Sequence, residues 1–192
     1  WKYATNQWFF FSYGDNNNFY FNNPHVLDGL FSYRKGWLLY TPIMVFALGG
    51  LFFLFNKEKK WRLAISVFVV INTYVMYSWW CWWYGGSFGS RPMIDSYALM
   101  AIPLAGFYAY FEKKGFYLKI IPTLVFGVTI SLNLFQTQQA KTCLHWDSMT
   151  KKSYWSNFTT LGYPAGIDDM LKSPDYEKAR DGLDEYEESL SN

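Results

Sequence analysis

The sequence has 192 residues, with 17 Lys and Arg against 15 Asp and Glu, a formal net charge of +2. That near-balance excludes the concentrated basic excess of a nucleic-acid surface. Aromatic residues reach 23% and charged residues only 17%, against roughly 25% charged in a typical soluble domain, so disorder is excluded as well.

Trp1 is no translation start, and no signal-peptide pattern opens the chain, so the sequence reads as a fragment or a processed product. Residues 1–36 are rich in Trp, Phe, Tyr and Asn, with turn signals at Gly14-Asp15-Asn16 and Asn22-Asn23-Pro24-His25. Residues 26–32 follow as a short helix lying on a membrane surface. A charge-free run then begins at Trp37 and extends to Phe55. Three more apolar stretches cover residues 63–84, 93–111 and 116–136, each about a bilayer long at ~1.5 Å per residue. The third includes Asp95 and Pro103, and the fourth holds Lys119 near one end, where a long side chain snorkels to the interface. The expected fold is an all-α integral membrane protein of about four transmembrane helices with a small soluble outer tail. Four buried helices of a soluble protein would leave too little polar surface to cover them.

Orientation follows from the loops. Residues 56–62 carry Lys57, Lys59, Lys60 and Arg62 against Glu58, and residues 112–115 add Lys113 and Lys114. With four spans both loops lie on one side, which the positive-inside rule makes cytoplasmic. Residues 1–36, the loop around 85–96 and the tail at 137–192 then face outward. The second run ends in Trp79, Trp80, Trp82, Trp83 and Tyr84, an aromatic belt suited to the headgroup region.

The outer loop Gly85-Gly86-Ser87-Phe88-Gly89-Ser90-Arg91 carries the clearest chemistry. Its glycines permit close backbone approach, Ser87 and Ser90 offer hydroxyls, and Arg91 supplies a planar charge, together a phosphate or pyrophosphate grip. The competing reading is a tight interhelical turn whose Arg meets lipid headgroups or pairs with Asp95.

The segment Leu30-Phe31-Ser32-Tyr33-Arg34-Lys35-Gly36-Trp37-Leu38-Leu39-Tyr40-Thr41-Pro42, followed by Trp82-Trp83-Tyr84-Gly85-Gly86-Ser87-Phe88-Gly89-Ser90-Arg91-Pro92, resembles the later half of bacterial multispanning glycosyltransferases of the GT-C type. These include dolichyl-phosphate mannosyltransferase-like and aminoarabinose-transferase-like enzymes, and the chain is similar to membrane proteins of Bacteroidetes. The resemblance covers roughly residues 24–103. It implies a polyprenyl-phosphate sugar donor, an inverting transfer on the outer face of the inner membrane, and a catalytic acid in the first outer loop. No segment here matches that loop, so the base is expected upstream of residue 1. Residues Gly85, Gly86, Ser87, Gly89, Ser90, Arg91 and Asp95 would bind the donor, with Arg91 on the phosphate.

Other candidates are weaker. His25 and His145 are too few and too widely spaced for a metal site, while Asp15 and Asp28 could act as a base or hold a divalent cation, the only cofactor left open, or simply cap turns. Cys81 and Cys143 make no disulfide framework. Asn157-Phe158-Thr159 fits a glycosylation sequon. Ser173-Pro174-Asp175 starts a helix whose Tyr176, Ala179, Leu183, Tyr186 and Leu190 form an apolar stripe, for docking on the protein's own surface or on a partner. The alternative function is therefore a non-catalytic membrane subunit whose outer tail binds a partner protein. A transporter fits less well, since the spans lack buried charges.

Overall fold

A computed structural model describes residues 2–9, 18–54, 59–142 and 144–183. Asp15, Lys57, Glu58, Cys143, Tyr186 and Leu190 lie outside the described residues, as does the side chain of Lys59. The fold is all-helical: no strand forms among the described residues, and one isolated antiparallel bridge joins Phe19 to Trp79. In chain order the helices are α1 (Lys2–Thr5), α2 (Val26–Phe31), α3 (Trp37–Tyr40), α4 (Ile43–Phe53), α5 (Lys59–Tyr77), α6 (Tyr97–Glu112), α7 (Phe116–Ala140), α8 (Lys151–Ser156) and α9 (Tyr176–Arg180).

Of the four expected spans, only the fourth forms a helix long and apolar enough to cross a membrane among the described residues. The others are interrupted or shortened for local reasons. The 37–55 run breaks at Pro42, which has no N–H to give and crowds the preceding turn. Met44 therefore bonds back to Thr41, and the freed carbonyl of Tyr40 accepts a 2.7 Å hydrogen bond from the Asn133 side chain of α7. α4 is left with 11 residues, about 16 Å. The 63–84 run becomes a 19-residue helix shifted to Lys59–Tyr77, long enough to span but with Lys59, Lys60 and Arg62 in its first turns, and the chain then turns through residues 78–84. The 93–111 run opens as a 3-10 turn, Arg91–Ser96, before the 16 residues of α6.

Small residues let the helices approach. α4 packs chiefly on α6, and a Cβ at Gly50 would lie 1.8 Å from the carbonyl oxygen of Pro103. Across the same seam, Phe53 stacks on Tyr110 at 4.2 Å and meets Phe107 edge-on at 5.6 Å. On α5 the buried positions Ile65, Val69, Thr73 and Tyr77 recur every four residues, one stripe of a helix. Val67, Val70 and Ile71 point outward and are exposed.

Two rings of the Trp cluster lie in the core rather than at a periphery, while Trp79 and Trp80 are half-buried. Trp82 and Trp83 are fully buried, because the turn after α5 folds beneath residues 18–25 and α9. Tyr20 N–H donates to Ser78 O, Trp80 N–H to Asn18 O and His25 N–H to Tyr77 O, which ties that turn down.

Candidate functional site

The helices alternate so that two ends of the bundle differ in chemistry. At one end Arg62 of α5 shares a recess with Leu51 and Phe52 of α4, while Phe53 packs on Phe111, next to Lys113 and Lys114. At the other end the glycine loop, residues 32–36 and the tail meet.

The loop is shaped by its glycines. Gly85 and Gly89 have φ of +69° and +55°, in the left-handed region that side chains avoid. A Cβ at Gly86 would sit 2.3 Å from the Trp146 ring, so that indole lies directly on the loop backbone. Ser90 is buried and its hydroxyl shares a 2.7 Å hydrogen bond with Tyr77. Ser87 Oγ is buried with no hydrogen-bond partner. Arg91 and Asp95 are exposed and make no ion pair with each other among the described residues, contrary to the pairing reading.

Beneath the loop lies a charged cluster that the site prediction missed. Arg34 and Lys35 are both buried, 5% and 1% exposed. Lys35 Nζ donates to the carbonyls of Ser87 and, at 3.1 Å, His145. Arg34 Nη1 donates to Asp147 O at 2.6 Å, and its guanidinium lies 5.9 Å from the Trp83 ring centre. Asp147 is buried too, and its carboxylate accepts from Tyr176 OH at 2.6 Å. Two cations thus face one acid. Burial outweighs the attraction of Asp147 and lowers the Lys35 pKa to about 8, with Arg34 adding to the fall.

His145 is held neutral by the same setting. Burial, then the charge of Lys35, lowers its pKa to about 4. Nε2 lies 2.9 Å from Gln139 Oε1, which places the ring proton there, and Nδ1 is left buried with no hydrogen-bond partner. Gln139 also donates from Nε2 to the carbonyls of Asn157 (2.9 Å) and Thr160 (2.7 Å), and Gln136 donates to Tyr154 OH at 2.7 Å. These two amides, one turn apart at the end of α7, dock the tail.

A sequence signal for both groups existed. Arg34-Lys35 stands directly before an apolar run on the side assigned as outer, against the positive-inside rule, which demands partners. Gln136 and Gln139 lie on one helical face at the end of an apolar helix, where amides bond to whatever caps it.

The remaining candidates play local parts. His25 Nδ1 lies 3.3 Å from the Asp28 carboxylate, far from the loop in role. Cys81 is buried and forms no disulfide among the described residues. Asn157 is buried and donates to Ser153 O, so the sequon is closed to modification in this fold. No group of three His, Cys, Asp or Glu among the described residues could hold a metal. In α9, Tyr176 meets Trp83 edge-on at 5.3 Å and Ala179 is buried, so the start of the stripe docks on the protein's own surface; Leu183 is exposed. No family model, curated protein or solved structure matches this chain.

Proposed function

We propose that this chain is the later membrane part of a glycosyltransferase that moves a sugar from a polyprenyl-phosphate donor to an acceptor on the outer face of a bacterial inner membrane. One observation carries the reading: the glycine loop is clamped over a buried pair of cations, with Ser87 Oγ unpartnered inside and Arg91 exposed at its end. Dehydrated cations beside an unpartnered hydroxyl favour an anion, and a guanidinium matches a phosphate in geometry. Gly85, Gly86, Ser87, Gly89, Ser90 and Arg91 form this grip, Ser90 and Gly86 by shaping the loop through their contacts with Tyr77 and Trp146, with Asp95 at its rim. The resemblance places the catalytic acid in a loop that this chain does not match.

The membrane setting has its own support. α7 spans 25 residues, about 37 Å, yet only 6% of its most apolar window is buried. Ile121, Leu124, Val128 and Leu134 are exposed on it, as Val67, Val70 and Ile71 are on α5. We infer that α4, α5 and α6 lie in the bilayer with α7, despite the shortness of α4 and α6 and the basic start of α5, with residues 56–62 and 112–115 facing the cytoplasm.

In the intact membrane enzyme, Arg91→Ala is expected to lower transfer from a polyprenyl-phosphate sugar by at least about tenfold, the value of a lost charge-assisted hydrogen bond. Insertion and folding stay unchanged. Wild-type turnover in Arg91→Ala removes the phosphate grip. A chain that binds neither polyprenyl phosphate nor donor, yet retains a partner protein through residues 173–192, would establish the non-catalytic subunit instead.

A further inference from the structure

We propose that the tail carries a saccharide-binding cleft beside the glycine loop, lined by Trp146, Ser148, Tyr163, Asp168, Leu171 and Ser173. Its volume is about 450 Å³, within the range of pockets that hold small ligands. Trp146 and Tyr163 remain 47% and 48% exposed, two large rings left open at one cleft. A pyranose offers just what such rings lack, a C–H face to lie on them and a rim of hydroxyls for polar neighbours. Tyr163 OH donates to Asp168 Oδ1 at 2.6 Å, which orients an exposed carboxylate to accept from sugar hydroxyls. Ser148 and Ser173 add hydroxyls. The lining contains no Lys, Arg or His, which argues against a phosphate or another anion as the ligand.

The cleft is built before any ligand arrives. Lys172 N–H donates to Ser148 O at 2.8 Å, and Thr150 Oγ1 donates to Met170 O at 2.6 Å, so its two walls are stapled together. Ile167 is fully buried beneath the Tyr163–Asp168 turn. The Trp146 indole is wedged against Gly86, which fixes the ring and sets the cleft against the loop. Rigid aromatic platforms lose little entropy on binding. Saccharide binding stands on these contacts alone; its role as the acceptor subsite rests on the transfer reading above.

The test uses the full chain in lipid nanodiscs, free of glycoside detergents whose heads would compete. Mannotetraose, chitotetraose and maltotetraose are the probes, followed by saturation-transfer NMR and calorimetry. At least one is expected to bind with a millimolar or tighter constant. Trp146→Ala should weaken it about tenfold and Asp168→Asn about fivefold. Tyr163→Ala, whose ring is not among the atoms that would meet a Cβ at Gly86, should weaken it too, which covers the case where Trp146→Ala disturbs Gly86. Arg91→Ala should keep saccharide binding while losing polyprenyl phosphate, and Asp168→Asn the reverse, so the two readings fail separately. No binding by any probe up to about 10 mM, or binding indifferent to all three cleft substitutions, overturns the proposal.

Discussion

His145 and Lys35 are two titratable side chains that the fold holds away from water, and both pay in pH dependence. The His145 pKa falls from 6.5 to about 4, so the unfolded chain binds the proton first as pH drops. Its contribution to stability is complete above about pH 6.5 and is lost as pH falls toward 4. The thermal midpoint should therefore decline between pH 7 and pH 5, and His145→Gln should flatten that decline; an equally steep fall in the variant would place the acid sensitivity elsewhere. Lys35, lowered from 10.5 to about 8, has the same sign at higher pH: its contribution is present above 10.5 and lost as pH falls through 8. At the loop, Gly86→Ala would drive a methyl into the Trp146 ring. A loss of about 1–3 kcal/mol is expected, with a shift in indole fluorescence, whereas Gly85→Ala meets no neighbour and suffers only its left-handed φ.

The helices show what an apolar pattern reports and what it hides. Absence of charge from Trp37 to Phe55 marks a stretch that leaves water, and residues 37–53 do form helix, but Pro42 divides it and Asn133 repairs the division. That repair depends on a residue some 90 positions away, so no local window could contain it. Trp79 to Trp83 look like a belt because Trp suits interfaces; the turn after Tyr77 instead feeds two of them into the core, a tertiary outcome that composition does not encode. The glycine loop was visible as glycines, while its clamp by Lys35 was visible only as a charge directly before an apolar run. At the α4–α6 seam, Gly50→Ala should separate the helices and lower the detergent-unfolding midpoint, by about 1–3 kcal/mol or more, because backbone oxygen cannot yield. Gly49→Ala, whose new methyl would meet Phe107 at an ordinary 3.8 Å, should be neutral; equal losses in both would disprove close approach at Gly50.

Across the molecule, the apolar surfaces gather on the helices and the polar contacts gather where the glycine loop meets the tail. On α7, Leu124→Lys should obstruct insertion, at a cost of about 3 kcal/mol near mid-membrane, read as a lower inserted fraction in microsomes. An unchanged fraction would remove α7 from the bilayer. The tail stays down through Tyr176 and Ala179, since Leu183 contributes little. Ala179→Glu should thus hasten tryptic cleavage at Lys151 and Lys152, and Leu183→Ser should not. An identical digestion pattern for Ala179→Glu would mean that α9 holds nothing. Arg34 and Lys35 find their partners at Asp147 and His145, 113 and 110 residues later in the chain. During synthesis those two cations leave the ribosome well before the residues that complete their burial. Burial of that pair is therefore completed by the tail, after α4 to α7 have been made. A nascent chain halted before residue 144 would leave Lys35 with the Ser87 carbonyl as one of its two carbonyl partners and Arg34 beside Trp83 without Asp147.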